Sequence, residues 1–147
     1  MAVAEDFSFE ERQEQERMVL ESVDRFLDKD VAPYAHDLEA DDTYPQEIVD
    51  KMVDMGLFGA TIGAEYGGLG LSVSTYAKIV ERVSTVWMSV SGIFNSHLIM
   101  AAAVERAGTD EQKAKWLPKF ASGELRGGIA LTEPDACLLY TSDAADD

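Results

Sequence analysis

Four carboxylates, Asp37, Glu39, Asp41 and Asp42, crowd the segment "DLEADD". Alternating acidic side chains are what a calcium loop uses. That loop also needs glycine where Asp42 stands and glutamate where Ile48 stands, so the segment reads as a solvated acidic loop. "GGLG" (Gly67 to Gly70) raises phosphate binding. A dinucleotide fingerprint starting at Gly68 needs glycine at Val73 and a strong strand before it, and no Gly-Lys-Ser/Thr follows for a phosphate loop. These glycines read instead as turns between helices. His36 and His97 lie on different elements with no cysteine cluster beside them, so zinc is unsupported. His97, inside an apolar run, reads as a hydrogen-bonded core histidine, with a place on a pocket wall as the alternative. No Gly-x-Ser-x-Gly elbow is present, and no nucleophile pairs with a base. No residue is assigned as catalytic, and none as a metal ligand.

The surface around these residues is acidic. Asp and Glu number 28 against 12 Lys and Arg, a formal charge of −16. Such a surface repels a nucleic-acid backbone or an anionic membrane, because phosphate binding needs clustered Lys and Arg. The acidic start shows neither signal peptide nor Arg-rich presequence, and the one cysteine, Cys137, allows no internal disulfide. The expected compartment is the cytoplasm.

Helices must do most of the positioning. Ser8 and Glu11 have capping-box spacing, and Val19, Val23, Phe26 and Leu27 follow on one face. Pro33 should kink or end this helix. Pro45 fits the first position of a second helix whose stripe is Ile48, Met52 and Met55, with Gly56 as its left-handed cap. After the glycine-rich connection, a third helix from about Val73 to Val83 buries Tyr76, Ile79, Val80 and Val83. The uncharged run Val83 to Val104 is long enough for a bilayer, which takes ~20 apolar residues. It carries Ser84, Thr85, Ser89, Ser91, Asn95, Ser96 and His97, polar groups that fit a buried core helix better than a membrane span. Thr109 and Gln112 open a last helix carrying Trp116, Leu117 and Phe120. "GGIALTEPDA" (Gly127 to Ala136) then reads as a strand entering a turn.

Taken in order, these segments resemble the acyl-CoA dehydrogenase family of flavoenzymes. "MGLFGATIGAEYGGLGLS" is similar to the family's connection between early helices. "WLPKFASGE" (Trp116 to Glu124) followed closely by "LTEP" (Leu131 to Pro134) is the most specific signal. The resemblance covers about Ser8 to Ala136. It implies a mainly α fold: a helical N-terminal domain over residues 1–126, with the first strand of a truncated β-domain at 127–136. It implies an FAD-dependent oxidoreductase of fatty-acid metabolism that dehydrogenates acyl-CoA thioesters between Cα and Cβ, passes electrons to an acceptor and assembles as a homotetramer. In the family a glutamate base removes the α-proton while hydride passes to the flavin. By resemblance, Ile129, Ala130, Leu131 and Thr132 run along the flavin, where main-chain groups and the Thr132 hydroxyl would hydrogen-bond the ring. The turn Glu133 to Ala136 would lie near flavin and thioester. Val90, Ile93 and Phe94 would line the acyl pocket. Alternatives are an acyl-CoA oxidase-like flavoenzyme and a standalone, non-enzymatic helical interaction module.

Where the family continues after "TEPDA" with glycine, Ser or Thr, and Asp, this chain has Cys137, Leu138 and Leu139. "CLLYTSDAADD" (residues 137–147) resembles the in-frame translation of a transposase-type sequencing adapter, so a non-native tail is expected. The β-domain remainder, the C-terminal helices and the catalytic glutamate are absent from this sequence, and the chain alone should be inactive. Sequencing the source DNA across codon 137 tests the tail: adapter sequence is expected there, and uninterrupted genomic sequence would contradict it.

Overall fold

The computed structural model describes residues 9–130. Ser8 of the first capping pattern, Leu131, Thr132, the turn Glu133 to Ala136 and the tail 137–147 lie outside the described residues.

Helix α1 (Phe9–Phe26) buries Leu20, Val23 and Phe26, with Leu27 just beyond it, while Val19 packs against their edge half-buried. Pro33 lacks an N–H, and its ring crowds the carbonyl four residues back. The chain absorbs this without stopping. Leu27–Val31 forms a π-helical turn in which Ala32 N–H reaches back five residues to Leu27 C=O, and α2 (Ala32–Ala40) continues at once. Residues 36–40, expected as acidic loop, are therefore helical. Their charges are tolerated because His36, Asp37 and Glu39 stay exposed. Only Asp41 and Asp42 turn, the latter with φ +50°.

Helix α3 (Gln46–Asp54) buries Ile48, Val49 and Met52, and Met55 is only half-buried. Pro45 caps the helix rather than opening it, and its own ring is buried. Gly56 holds φ +73°, the left-handed end foreseen from its type. The connection that follows is tightly bonded to itself. Leu69 N–H donates to Gly59 C=O at 2.9 Å, Gly70 N–H to Ile62 C=O at 2.9 Å, and Leu71 N–H to Ala60 C=O at 2.8 Å. Its turn Leu57–Gly59 buries Leu57 and Phe58 against α3, α4 and α5, and Ala60 and Ile62 are buried just beyond it, before the second turn, Ala64–Tyr66. Glu105 fastens it from outside by accepting Gly63 N–H at 3.1 Å.

The expected third helix and the apolar run form one element, α4 (Val73–Ala107), of 35 residues. Trp87 breaks it with φ −155° and ψ 103°. Neither Pro nor Gly stands there, so no residue type announces the break. Polar groups absorb it: Trp87 Nε1–H donates to the Glu39 carboxylate, Ser89 Oγ donates to the same oxygen at 3.1 Å, and Ser91 Oγ donates to Met88 C=O at 2.8 Å. By length and composition α4 could cross a membrane. Its Ile79, Val83, Val90, Phe94, Leu98 and Ala101 are instead buried among the other helices.

Helix α5 (Asp110–Ala121) starts from a full capping box, in which Thr109 Oγ1 accepts Gln112 N–H at 3.2 Å and Gln112 Oε1 accepts Thr109 N–H at 2.9 Å. Thr109→Ala should cost about 1 kcal/mol, the usual worth of an N-cap. Urea unfolding with an unchanged slope checks this, and Thr109→Ser should recover most of the loss. After α5, residues 127–130 form no helix, strand or turn. The strand expected there needs a partner strand, and no strand occurs among the described residues.

Candidate functional site

Two regions gather the residues singled out by sequence. The first is where the chain leaves α5. His97, on the second limb of α4, is 1% exposed. Its ring meets Phe58 edge-on at 5.2 Å and Phe120 edge-on at 5.7 Å. Nε2 lies 3.1 Å from Phe120 C=O, and a carbonyl can only accept, so Nε2 carries a proton. Nδ1 accepts Gly127 N–H at 3.3 Å, so Nδ1 carries none. The ring is therefore neutral and in one tautomer. Beyond it, Gly128, Ile129 and Ala130 make no main-chain hydrogen bond among the described residues. Ile129, 43% exposed, forms one wall of an apolar cleft of about 380 Å³ whose other walls include Met100, Val104 and Trp116.

Burial holds the His97 pKa below the ordinary histidine value, and the charge of Arg126 pushes the same way. The carbonyls of Phe120 and Phe58 pull against them. With the folded-state value lowered, the unfolded chain binds a proton that the folded chain refuses. The contribution is whole above the ordinary histidine range and is lost as pH falls below it, toward the folded-state value. The slope from this one site is at most about 1.4 kcal/mol per pH unit. Unfolding free energies at pH 7.5 and ~5.5 should show the loss, and His97→Asn should flatten it.

The second region is a cleft of about 310 Å³ between α2, the turn before α3 and the break in α4, lined in part by Leu38, Glu39, Tyr44, Trp87, Ser89 and Ile93. Of the three residues given to an acyl pocket, only Ile93 lies on this cleft. Val90 and Phe94 are 0% exposed and belong to the core, where Phe94 meets Tyr76 edge-on at 6.3 Å. In this arrangement neither offers an atom to a ligand. Tyr76, pushed up to about 12 by burial, is a hydrogen-bonding group rather than a base, and its hydroxyl donates to Asn95. Arg126 joins the two regions by donating to the Tyr44 hydroxyl at 3.2 Å while its guanidinium lies 5.9 Å from the Phe58 ring centre. Sequence reading missed the Glu39–Trp87–Ser89 group and the Arg126–Tyr44 contact. Their partners are 48 to 82 residues apart, and no local signal pairs them.

The helical bundle and these contacts acquire a family context by comparison. The profile of "Acyl-CoA dehydrogenase, N-terminal domain" matches residues 13–124. The chain belongs to that family. This acyl-CoA dehydrogenase N-terminal domain is 40% identical over 123 residues to (2S)-methylsuccinyl-CoA dehydrogenase of Cereibacter sphaeroides, covering 83% of the chain and 22% of that relative. It superposes on butyryl-CoA dehydrogenase from Megasphaera elsdenii with TM-score 0.78 and 26% identity, covering 90% of this chain and 35% of that one. It also superposes on an acyl-CoA dehydrogenase complexed with FAD from Bacillus anthracis, with TM-score 0.71 and 28% identity, over 92% of this chain and 23% of that one. The acyl-CoA dehydrogenase N-terminal domain thus spans between a fifth and about a third of the length of these relatives.

Proposed function

We propose that this domain serves an FAD-dependent acyl-CoA dehydrogenase, an oxidoreductase that forms the α,β double bond of an acyl-CoA thioester and passes the electrons to an acceptor. The observation that carries the proposal is the family match across residues 13–124, supported by a relative solved with FAD. The residues present fit that cofactor. The N–H and C=O groups of Ile129 and Ala130 are uncommitted among the described residues, and Ile129 lies on an apolar cleft, which suits a flat ring with a hydrogen-bonding edge. Ile129, Ala130, Leu131 and Thr132 would hold it, the last by its hydroxyl. When bound, the flavin supplies the hydride acceptor. Ile93 faces the cleft proposed for the acyl chain, and Val90 and Phe94 would act on its shape only by packing behind it.

The general base is assigned to no residue of this chain. Assembly as a homotetramer belongs to the same proposal: Val73 and Met88, 74% and 76% exposed, offer apolar surface to cover. So does a cytoplasmic setting, since residues 1–136 contain no cysteine and need no oxidising compartment. The test is steady-state oxidation of a panel of acyl-CoA thioesters by the product of the uninterrupted gene. Turnover with a dye acceptor and little oxygen uptake is expected. Peroxide formation at a comparable rate would make it an oxidase, and no enoyl-CoA from any thioester would contradict the proposal.

A further inference from the structure

We infer that His97 is a positioning residue: its neutral ring fixes where the chain leaves the helical domain, and so sets the course of Gly127–Ala130 past the cofactor. The inference deepens the flavin reading above and rests on it for its last step. Three observations support it. The ring is held on both nitrogens, by Phe120 C=O at 3.1 Å and Gly127 N–H at 3.3 Å, so it bridges the end of α5 to the first residue of the exit segment. Phe58 and Phe120 both meet it edge-on, and at 1% exposure the ring is enclosed. Among the described residues the Gly127 bond is also the last main-chain hydrogen bond before Ala130. Remove it, and among the described residues Gly128, Ile129 and Ala130 keep no main-chain hydrogen bond to the domain, while the Ile129 side chain still lines its cleft.

Gly127 is suited to this approach. A Cβ there would lie 2.7 Å from the Met100 methyl, the movable end of a flexible side chain, so the segment passes against the Met100 side chain of α4. Protonation would undo the arrangement, because Nδ1–H would confront Gly127 N–H donor to donor. Phe58 C=O and Arg126 are the other groups that act on the ring, the first favouring the proton and the second opposing it.

The bond can be separated from the fold. Phe120 C=O also accepts Gly123 N–H at 3.1 Å, so His97→Phe keeps the aromatic packing and leaves that carbonyl bonded. His97→Asn keeps an acceptor near the Nδ1 position, and His97→Gln places its amide near Nε2 instead. In the 147-residue chain, imidazole ¹⁵N shifts should show His97 as the Nε2–H tautomer, with exposed His36 as reference. Gly127 amide exchange should be about tenfold faster in His97→Phe and His97→Gln, one hydrogen bond's worth, and close to wild type in His97→Asn. In the longer flavoprotein, His97→Phe should shift the flavin absorption band or lower its occupancy, and His97→Asn should restore it. An Nδ1–H tautomer, or unchanged Gly127 exchange in His97→Phe, overturns the inference and leaves the flavin reading standing. Fast exchange with an unaltered flavin band overturns the positioning role alone. A longer protein that holds no flavin defeats the reading beneath it, while the exchange data still decide the bridge.

Discussion

Phe58→Ala is expected to remove about 3–5 kcal/mol of folding free energy, the range for truncating a buried phenylalanine in a well-packed site. Phe58 is 0% exposed and sits in the turn Leu57–Gly59, which touches α3, α4 and α5 together. Three elements therefore lose a common contact, and the space left is bounded by main chain on the turn side. The His97 ring loses its edge-on partner at 5.2 Å, and the Arg126 guanidinium loses the aromatic face 5.9 Å away. Domains of this size hold only about 5–15 kcal/mol in all, so the variant should be marginal at 25 °C. Urea unfolding followed by circular dichroism measures it. A loss below ~1 kcal/mol would mean that the turn is not a packing centre.

The second large effect is at Gly68, and its neighbour supplies the control. A Cβ on Gly68 would stand 2.1 Å from Ile62 C=O and 2.7 Å from Gly59 C=O, both main chain. Those carbonyls already accept Gly70 N–H and Leu69 N–H, so relieving the clash opens the hydrogen bonds that close the connection. Gly68→Ala should cost about 3 kcal/mol or more, two to three net hydrogen bonds plus strain. Gly67 has φ +83° but nothing within 4 Å of its absent Cβ. Gly67→Ala should cost only about 1–2 kcal/mol, the strain of a left-handed alanine. Equal losses for the two, read from unfolding midpoints, would contradict this assignment of steric contact to one glycine and backbone handedness to the other.

"GGLG" illustrates what a single sequence holds and withholds. Its rejection as a nucleotide loop needed only spacing. That Gly68 is required by close approach and Gly67 by handedness needed the partner carbonyls, which lie six and nine residues back. The Thr109–Gln112 box was legible because cap and receptor are three residues apart. The α1 stripe was incomplete: Leu20 is buried although the one-face spacing passed over it, and Val19 packs at the core's edge only half-buried. The break at Trp87 left no trace, since no Pro or Gly stands there and the carboxylate that its indole bonds is 48 residues away. For the site, Val90, Ile93 and Phe94 share one apolar stretch. Periodicity cannot tell the side of such a stretch that faces a cleft from the side that faces the core. His97 was legible as a buried, bonded histidine, and its tie to Gly127 was not, being a contact across 30 residues.

The central proposal is that this helical domain belongs to a flavoenzyme that oxidises acyl-CoA thioesters. The most direct measurement is the absorption spectrum of the uninterrupted gene product, recorded anaerobically before and after adding acyl-CoA thioesters in turn. The account predicts a bound flavin whose oxidised band is bleached by at least one of them, with enoyl-CoA formed in step. A purified, folded product with no flavin, or with a flavin that no acyl-CoA reduces, would contradict it.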